Sequence, residues 1–360
     1  MNKIFAVINW LAVLVMWSSA ASVYLNPNTF SRFTALLGLG FPVTVAAVLL
    51  LLLLSALLKL RAGFIPLFGL IACIGSLRDY CPVNFSSPPP KGCLKVMSYN
   101  CMAYNNWALT PDEKEFECMR FMCSQECHVV AIQEATTRNA KDVEIRDASI
   151  KRYGYHYDDM LIGAGVVGVL SRFPIVKKQL ISHSECNGLA AFYLEMPKND
   201  TLIVVNVHLE SQRLSTDDRS LYSHISRHPE EMDDMKGGVR TLLSKLSVSS
   251  IERAKQTDAL THFIDSVKGH KILVMGDFND TPISYAHHAV CSRLTDTFRA
   301  TGNGIGRSFA KDRIYVRIDH VFCSDHWRPF AANIDSGVHF SDHYPFTCLL
   351  YTSPSPRDTR

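Results

Sequence analysis

A chain of 360 residues with a formal charge of +3 has room for one large domain or two ordinary ones. The charge is uneven: residues 1–79 carry +4 and residues 348–360 carry +1, which leaves −2 on residues 80–347. A body with that balance lacks the basic surface that draws proteins non-specifically onto nucleic acid. The eleven cysteines follow neither metal-ligand nor disulfide-framework spacing, which sets aside thiolate metal centres.

From the N-terminus, residues 4–24 and 35–58 are apolar and nearly uncharged, and residues 62–77 form a shorter run interrupted by Gly and Pro. A spanning helix needs about 20 apolar residues, so the pattern predicts about three transmembrane helices within residues 1–80. A signal peptide is the rival reading of the first run; its length, its single Lys3 and the span that follows argue against it. Lys3, Lys59 and Arg61 fall on one side of such a bundle, with Arg32, Arg78 and Asp79 on the other. The positive-inside rule then predicts a multi-pass membrane protein whose body lies outside the cytoplasm.

Residues 81–93, with Phe85-Ser-Ser-Pro-Pro-Pro-Lys-Gly92, read as a stiff tether. Beyond it the pattern alternates between short apolar runs and helical periodicity. Strands are expected at Leu94–Asn100, Val129–Glu134, Val166–Ser171, Leu189–Glu195, Leu202–Leu209, Lys271–Met275, Ile318–Cys323 and near Phe346, with helices at Pro111–Cys127 and Val239–Val267. Ser211–Gly238 is polar and reads as a long loop or a partly helical insertion. Cys118, Cys123 and Cys127 fall on the first helix as small buried residues, and Cys81 and Cys93 could pair if the body is exported. Residues 348–360 resemble a translated sequencing adapter and are set aside, which leaves 94–347 as the body.

Chemistry concentrates at strand ends. Lys271-Ile-Leu-Val-Met275 breaks at Gly276 into Asp277-Phe278-Asn279. Side chains two apart on extended backbone share a side, so Asp277 and Asn279 could converge on a hard cation or a phosphoryl group; a plain turn is the bland alternative. Asn100 ends Leu94–Asn100, Gln133-Glu134 ends the next run, and Asn206 and His208 share a strand face. Asp319-His320 and Ser341-Asp342-His343 each place a carboxylate beside an imidazole. Singly, each could be a loop residue, a core histidine or a cap. Together they form a set of oxygen and nitrogen ligands at a sheet rim, where α/β folds assemble sites.

In this order the motifs resemble the endonuclease/exonuclease/phosphatase superfamily over residues 94–347, and the tethered form resembles uncharacterised membrane-anchored bacterial proteins of that group. The resemblance implies an α/β fold, a four-layer α/β/β/α sandwich preceded by the N-terminal helices. It implies Mg²⁺ or Mn²⁺ held by Asn100 and Glu134, with Asp342 as a further ligand or a water-mediated contact. It has Asp277 position or deprotonate the attacking water, Asn279 contact a phosphate oxygen, and His343, oriented by Asp319, donate to the phosphate or act in proton transfer. His208 supplies a second hydrogen bond or the leaving-group proton, and the resemblance leaves open which of His343, His208 and Asp277 is the base. The implied activity is phosphoester hydrolysis, on nucleic acid, a phospholipid or a small phosphorylated molecule such as an inositol phosphate. An inactive phosphate-binding module is the non-enzymatic rival. The bilayer is the other expected partner, and the sequence points to no protein partner. Ser171-Arg172-Phe173-Pro174-Ile175 reads as structural. Gly302–Arg307 reads as a flexible loop that could close on substrate with Arg307, or as an ordinary one.

Overall fold

A computed structural model describes residues 2–108, 115–212, 214–227, 236–311 and 314–352. The chain divides into two compact units: Met1–Pro82, Gln212–Ala254 and Asp280–His288 form one; Val83–Ser211, Lys255–Asn279 and Ala289–Arg360 form the other.

The first unit is helical. Its N-terminal part contains helices at Asn2–Ala21, Thr34–Leu39, Phe41–Leu57, Phe64–Ala72 and Ile74–Tyr80. Among the described residues one stretch, Asn2–Tyr24, is long and apolar enough to cross a membrane. The expected second span is split near Gly40, leaving an apolar helix of 17 residues. Pro42 lies in the first turn of that helix, where a missing N–H costs nothing; inside a continuous helix it would remove a hydrogen bond. The expected third span is a helix pair bent by 61°. In place of the three expected spans, the described residues hold one full-length span, one shorter apolar helix and one bent pair.

The helices pack through small and polar residues. Buried Asn9 donates to Ser55 Oγ at 3.3 Å and to the Ala62 carbonyl at 2.9 Å. A Cβ on Gly69 would stand 2.6 Å from Val13 Cγ2, so glycine is what allows that approach. The 211–238 insertion is partly helical, with a helix at Thr216–Arg227. The helix Lys236–Ser266 follows it; there buried Arg253 bonds Asp280 at 3.2 Å.

Among the described residues the second unit holds fourteen strands. In chain order these are β1 (Leu94–Asn100), β2 (Val129–Gln133), β3 (His156–Ile162), β4 (Gly165–Ser171), β5 (Ile175–His183), β6 (Gly188–Met196) and β7 (Asp200–His208). There follow β8 (Lys271–Asp277), β9 (Thr295–Asp296), β10 (Phe309–Lys311), β11 (Ile314–Val316), β12 (Asp319–Cys323), β13 (Arg328–Ile334) and β14 (Phe346–Tyr351). They make two six-stranded mixed sheets, ordered β13-β14-β1-β2-β4-β3 and β5-β6-β7-β8-β12-β9, and a separate β10–β11 hairpin. Only β1–β2 and β7–β8 pair in parallel among these contacts.

Alternate residues of β1, β2 and β4 (Val96, Val129, Ala131, Val169) meet those of β6, β7, β8 and β12 (Phe192, Val204, Leu273, Val321) in one apolar core. The other face of the first sheet carries Met97, Val130, Ile132 and Leu170, covered by Met119 and Met122 of the helix Glu117–Ser124 and by Ile150 of Ala140–Tyr153. Ile203, Val205, Ile272 and Val274 point away from the shared core in the second sheet and are also buried. Strands buried on both faces explain the unbroken apolar runs in the sequence.

Several expectations need correction. The helix predicted from Pro111 begins at Glu117, because Phe116 is extended, and it ends at Ser124, so Cys127 lies beyond it; residues 111–114 fall outside the described residues. Cys81 and Cys93 are not joined by a disulfide. Burial pushes the Cys123 and Cys127 thiols up, to about 12 and about 11, which makes them inert at neutral pH. β14 runs into the adapter-like segment: Cys348 and Leu350 are buried, so the sheet extends to Tyr351. Residues 353–360 lie outside the described residues.

Candidate active site

The parallel pair β7–β8 sets His208 opposite Asp277, and the antiparallel pair β8–β12 sets Asp319 opposite Asp277 on its other side. Three chemistry-bearing residues thus stand abreast at one sheet edge. Gly276 makes this possible: its φ is +151°, and a Cβ there would lie 1.9 Å from the Val207 carbonyl oxygen. In the facing sheet, β1 ends at Asn100 beside Gln133, the last residue of β2, and Glu134 follows in left-handed conformation with φ +54°. For a glutamate that conformation is uncommon, and it turns the carboxylate out of the strand direction.

The two edges meet. Asn100 is buried, and its Nδ2 donates to Glu134 Oε1 at 3.1 Å and to Asp277 Oδ2 at 3.2 Å. His208 Nε2 lies 3.7 Å from Asp277 Oδ2 and 3.9 Å from Glu134 Oε1. His343 Nε2 lies 3.6 Å from Asp277 Oδ2, while its Nδ1 bonds Asp319 Oδ2 at 2.8 Å. Asp319 therefore pairs with a histidine 24 residues away; its sequence neighbour His320 packs against the Phe278 ring at 5.3 Å.

The buried charges shape one another. Burial opposes a charged His343 ring, but the Asp319 and Asp277 carboxylates outweigh it and push the ring up to about 10. Burial holds the Asp277 carboxyl above the usual carboxylate range; His343 and His208 pull it down and Asp319 pushes it up.

Beneath the site a polar clamp joins the sheets. Asn206 Nδ2 donates to the carbonyls of Ile132 and Gly168, both at 2.8 Å, and its Oδ1 accepts from Gln133 Nε2 at 2.7 Å. Asn206 thus supports the site without facing it. Asn206→Leu keeps the volume but removes three buried hydrogen bonds that join the sheets. It is expected to cost about 3 kcal/mol or more in urea unfolding followed by tryptophan fluorescence; a loss below about 1 kcal/mol would show the clamp idle.

Two expected site residues lie differently from the sequence reading. Asn279 has φ +50° and donates through Nδ2 to the Leu209 carbonyl at 3.0 Å, while its N–H bonds Asp277 Oδ1 at 2.8 Å. The chain has left the extended state there, so Asp277 and Asn279 do not project together as strand neighbours. Asp342 bonds Lys311 Nζ at 3.2 Å and Ser341 Oγ at 3.4 Å rather than Glu134 or Asn100. Lys311 was missed because a three-residue strand carries no periodic signal.

The Gly302–Arg307 loop is built in rather than free. Cβ atoms on Gly302 and Gly306 would lie 2.6 and 2.2 Å from the Phe298 ring. Buried Arg317 stacks on that ring at 4.4 Å and donates to the Ile305 carbonyl at 2.6 Å. Arg307 lies over Tyr315, 5.1 Å from its centroid.

Oxygen donors and imidazoles without thiols suit a hard cation. The nearest carboxylate–imidazole grouping is Asp277, Asp319 and His343, with ligand atoms within 4.8 Å of one another. His343 is already held there by Asp319. The wider mouth formed by Asn100 and Glu134 offers oxygen ligands with more access, since the Glu134 side chain is 43% exposed.

A search of curated proteins gives no match. Among solved structures, a humanized zebrafish (D. rerio) TDP2 is 15% identical, with a TM-score of 0.48, over 72% of this chain and 99% of that one. An endonuclease/exonuclease/phosphatase from Beutenbergia cavernae is 16% identical, with a TM-score of 0.49, over 72% of each chain. The human Nocturnin catalytic domain with bound sulfate is 15% identical, with a TM-score of 0.48, over 75% of this chain and 96% of that one. Residues 2–80 match a domain of unknown function (DUF8431). Residues 97–343, most of the chain, match the Endonuclease/Exonuclease/phosphatase family, and the protein belongs to that family.

Proposed function

We propose that this protein is a membrane-anchored, divalent-metal-dependent phosphoesterase that hydrolyses its substrate by direct attack of water. The observation that carries the reading is the convergence of Asn100, Glu134, His208, Asp277, Asp319 and His343 from two sheets onto one edge. Asn100 Nδ2 stands between two carboxylates, a place for positive charge; rotating the amide presents its oxygen there instead. Glu134 and Asn100 would hold Mg²⁺ or Mn²⁺, with Asp342 reaching it directly or through water once released by Lys311. When bound, the ion polarises a phosphoryl oxygen and offsets charge gathering on it.

The chain's own residues do the rest. Asp277 orients the attacking water and takes its proton on Oδ2. His343, its Nδ1 fixed by Asp319, donates from Nε2 to a phosphate oxygen. His208, on the other side of Asp277, serves the leaving oxygen. Asn279 keeps Asp277 aligned through its backbone N–H. Plasmid DNA, RNA, phospholipids and inositol phosphates assayed with added Mg²⁺ test the reading. Turnover of any of them supports it and assigns the substrate class, and failure on all four sinks it.

The anchor rests on apolar side chains that face outward from the helical unit: Val43, Leu57 and Phe64 are each more than two-thirds exposed. With Lys3, Lys59 and Arg61 retained in the cytoplasm, the catalytic body lies on the far side. A reporter that folds only after export, fused after Thr352 so that β14 stays whole, is expected to be active. Activity from a cytoplasm-only reporter at the same position reverses the assignment.

A further inference from the structure

The β10–β11 hairpin is fastened to the dyad at its base. Buried Ser308 receives the N–H groups of Ile318 and Asp319 on its Oγ, both at 3.0 Å, and its carbonyl accepts the Tyr344 N–H at 2.7 Å. Phe309 forms a backbone bridge to His343 and sets its ring 5.0 Å from the imidazole. Two residues on, and on the same strand face, Lys311 reaches Asp342. A hairpin tied to the backbone at Asp319 and at His343 holds that lysine at the site.

Its charge is needed there. Glu134, Asp277, Asp319 and Asp342 bring four carboxylates to the edge where a phosphate must bind. Among the described residues Lys311 is the one lysine or arginine in an ion pair with any of them. The Lys311 side chain is 41% exposed, so the ammonium can turn from Asp342 to a ligand arriving from solvent.

We infer that Lys311 is a substrate-binding residue whose ammonium exchanges Asp342 for a phosphate oxygen and so favours a dianionic phosphomonoester over a monoanionic diester. The exchange gives up one carboxylate charge. A diester returns a single charge, an even trade, whereas a monoester returns nearly two, and Coulomb attraction scales with that product. The flexible stem and three donors of lysine suit a compact terminal phosphate. This rests on the phosphate-ester reading of the site.

The test is a ³¹P NMR titration of the full chain in detergent with Mg²⁺ at about pH 8, where a phosphate group is dianionic. Inorganic phosphate and dimethyl phosphate are the probes, on the wild type, Lys311→Met and Lys311→Arg. Lys311→Met is expected to weaken inorganic phosphate by about tenfold or more and dimethyl phosphate by less than about threefold, with Lys311→Arg restoring most of the loss. Equal weakening of both probes, or unchanged phosphate affinity, overturns the inference. Turnover on the same samples separates it from the broader reading. A wild type that binds phosphate through Lys311 but hydrolyses no ester removes the phosphoesterase and leaves this inference standing. A wild type that hydrolyses esters while the Met variant keeps its phosphate affinity does the reverse.

Discussion

Chelation is expected to abolish phosphoesterase activity, Mg²⁺ or Mn²⁺ to restore it, and Glu134→Gln to lower turnover by about 10³-fold with the unfolding transition unchanged. Glu134 is the accessible carboxylate of the site, reached by the Asn100 amide at 3.1 Å. Glutamine preserves its length and can occupy the same left-handed backbone, so the substitution removes charge and little else. Glu134→Ala should lose as much activity, which separates a ligand role from a steric one. Full turnover by chelated protein, or a Gln variant within about tenfold of the wild type, would set aside the metal-ligand role.

The second large effect concerns the dyad. Asp319 holds His343 Nδ1 at 2.8 Å, and its carboxylate helps keep the ring charged, so each residue works through the other. His343→Ala and Asp319→Ala are each expected to lower turnover by about 10²-fold or more, the scale of a lost proton-transfer or positioning group. The double variant should be little worse than the weaker single one, because removing a second member of a broken unit removes nothing further. Losses that multiply would show two independent residues. Asp319→Asn is a useful companion: it keeps a hydrogen bond to Nδ1 and withdraws the charge, so it reports how much of the effect is electrostatic.

The central strands were legible because burial on both faces writes them as apolar runs, as in Val129-Val-Ala-Ile132. β3 and β5 went unread for the opposite reason. They are sheet edges, and Lys177, Lys178 and Gln179 of β5 are exposed, so no core imposes an alternation. Strand-end residues such as Asn100, Asp277 and Asp319 could be read as candidates because each follows an apolar run. Their meeting could not, since it depends on which strands are neighbours. Asn279 shows the limit of periodicity: the rule that residues two apart share a side fails once φ turns positive. Lys311 shows another, because its importance comes from Ser308 fastening a hairpin in place and nothing local announces that.

The position of β14 has a consequence for synthesis. It lies between β13 and β1, so one of the last described strands is inserted beside the first strand of the catalytic body. A nascent chain that has not yet delivered Phe346–Tyr351 from the ribosome leaves the β14-facing edge of β1 open from Leu94 to Ser98, an adhesive edge. It also lacks a seated His343, three residues upstream of that strand. On the proposed reading, hydrolytic power is expected to switch on only as translation closes the sheet, and a chain stalled earlier is expected to be inert and prone to aggregate.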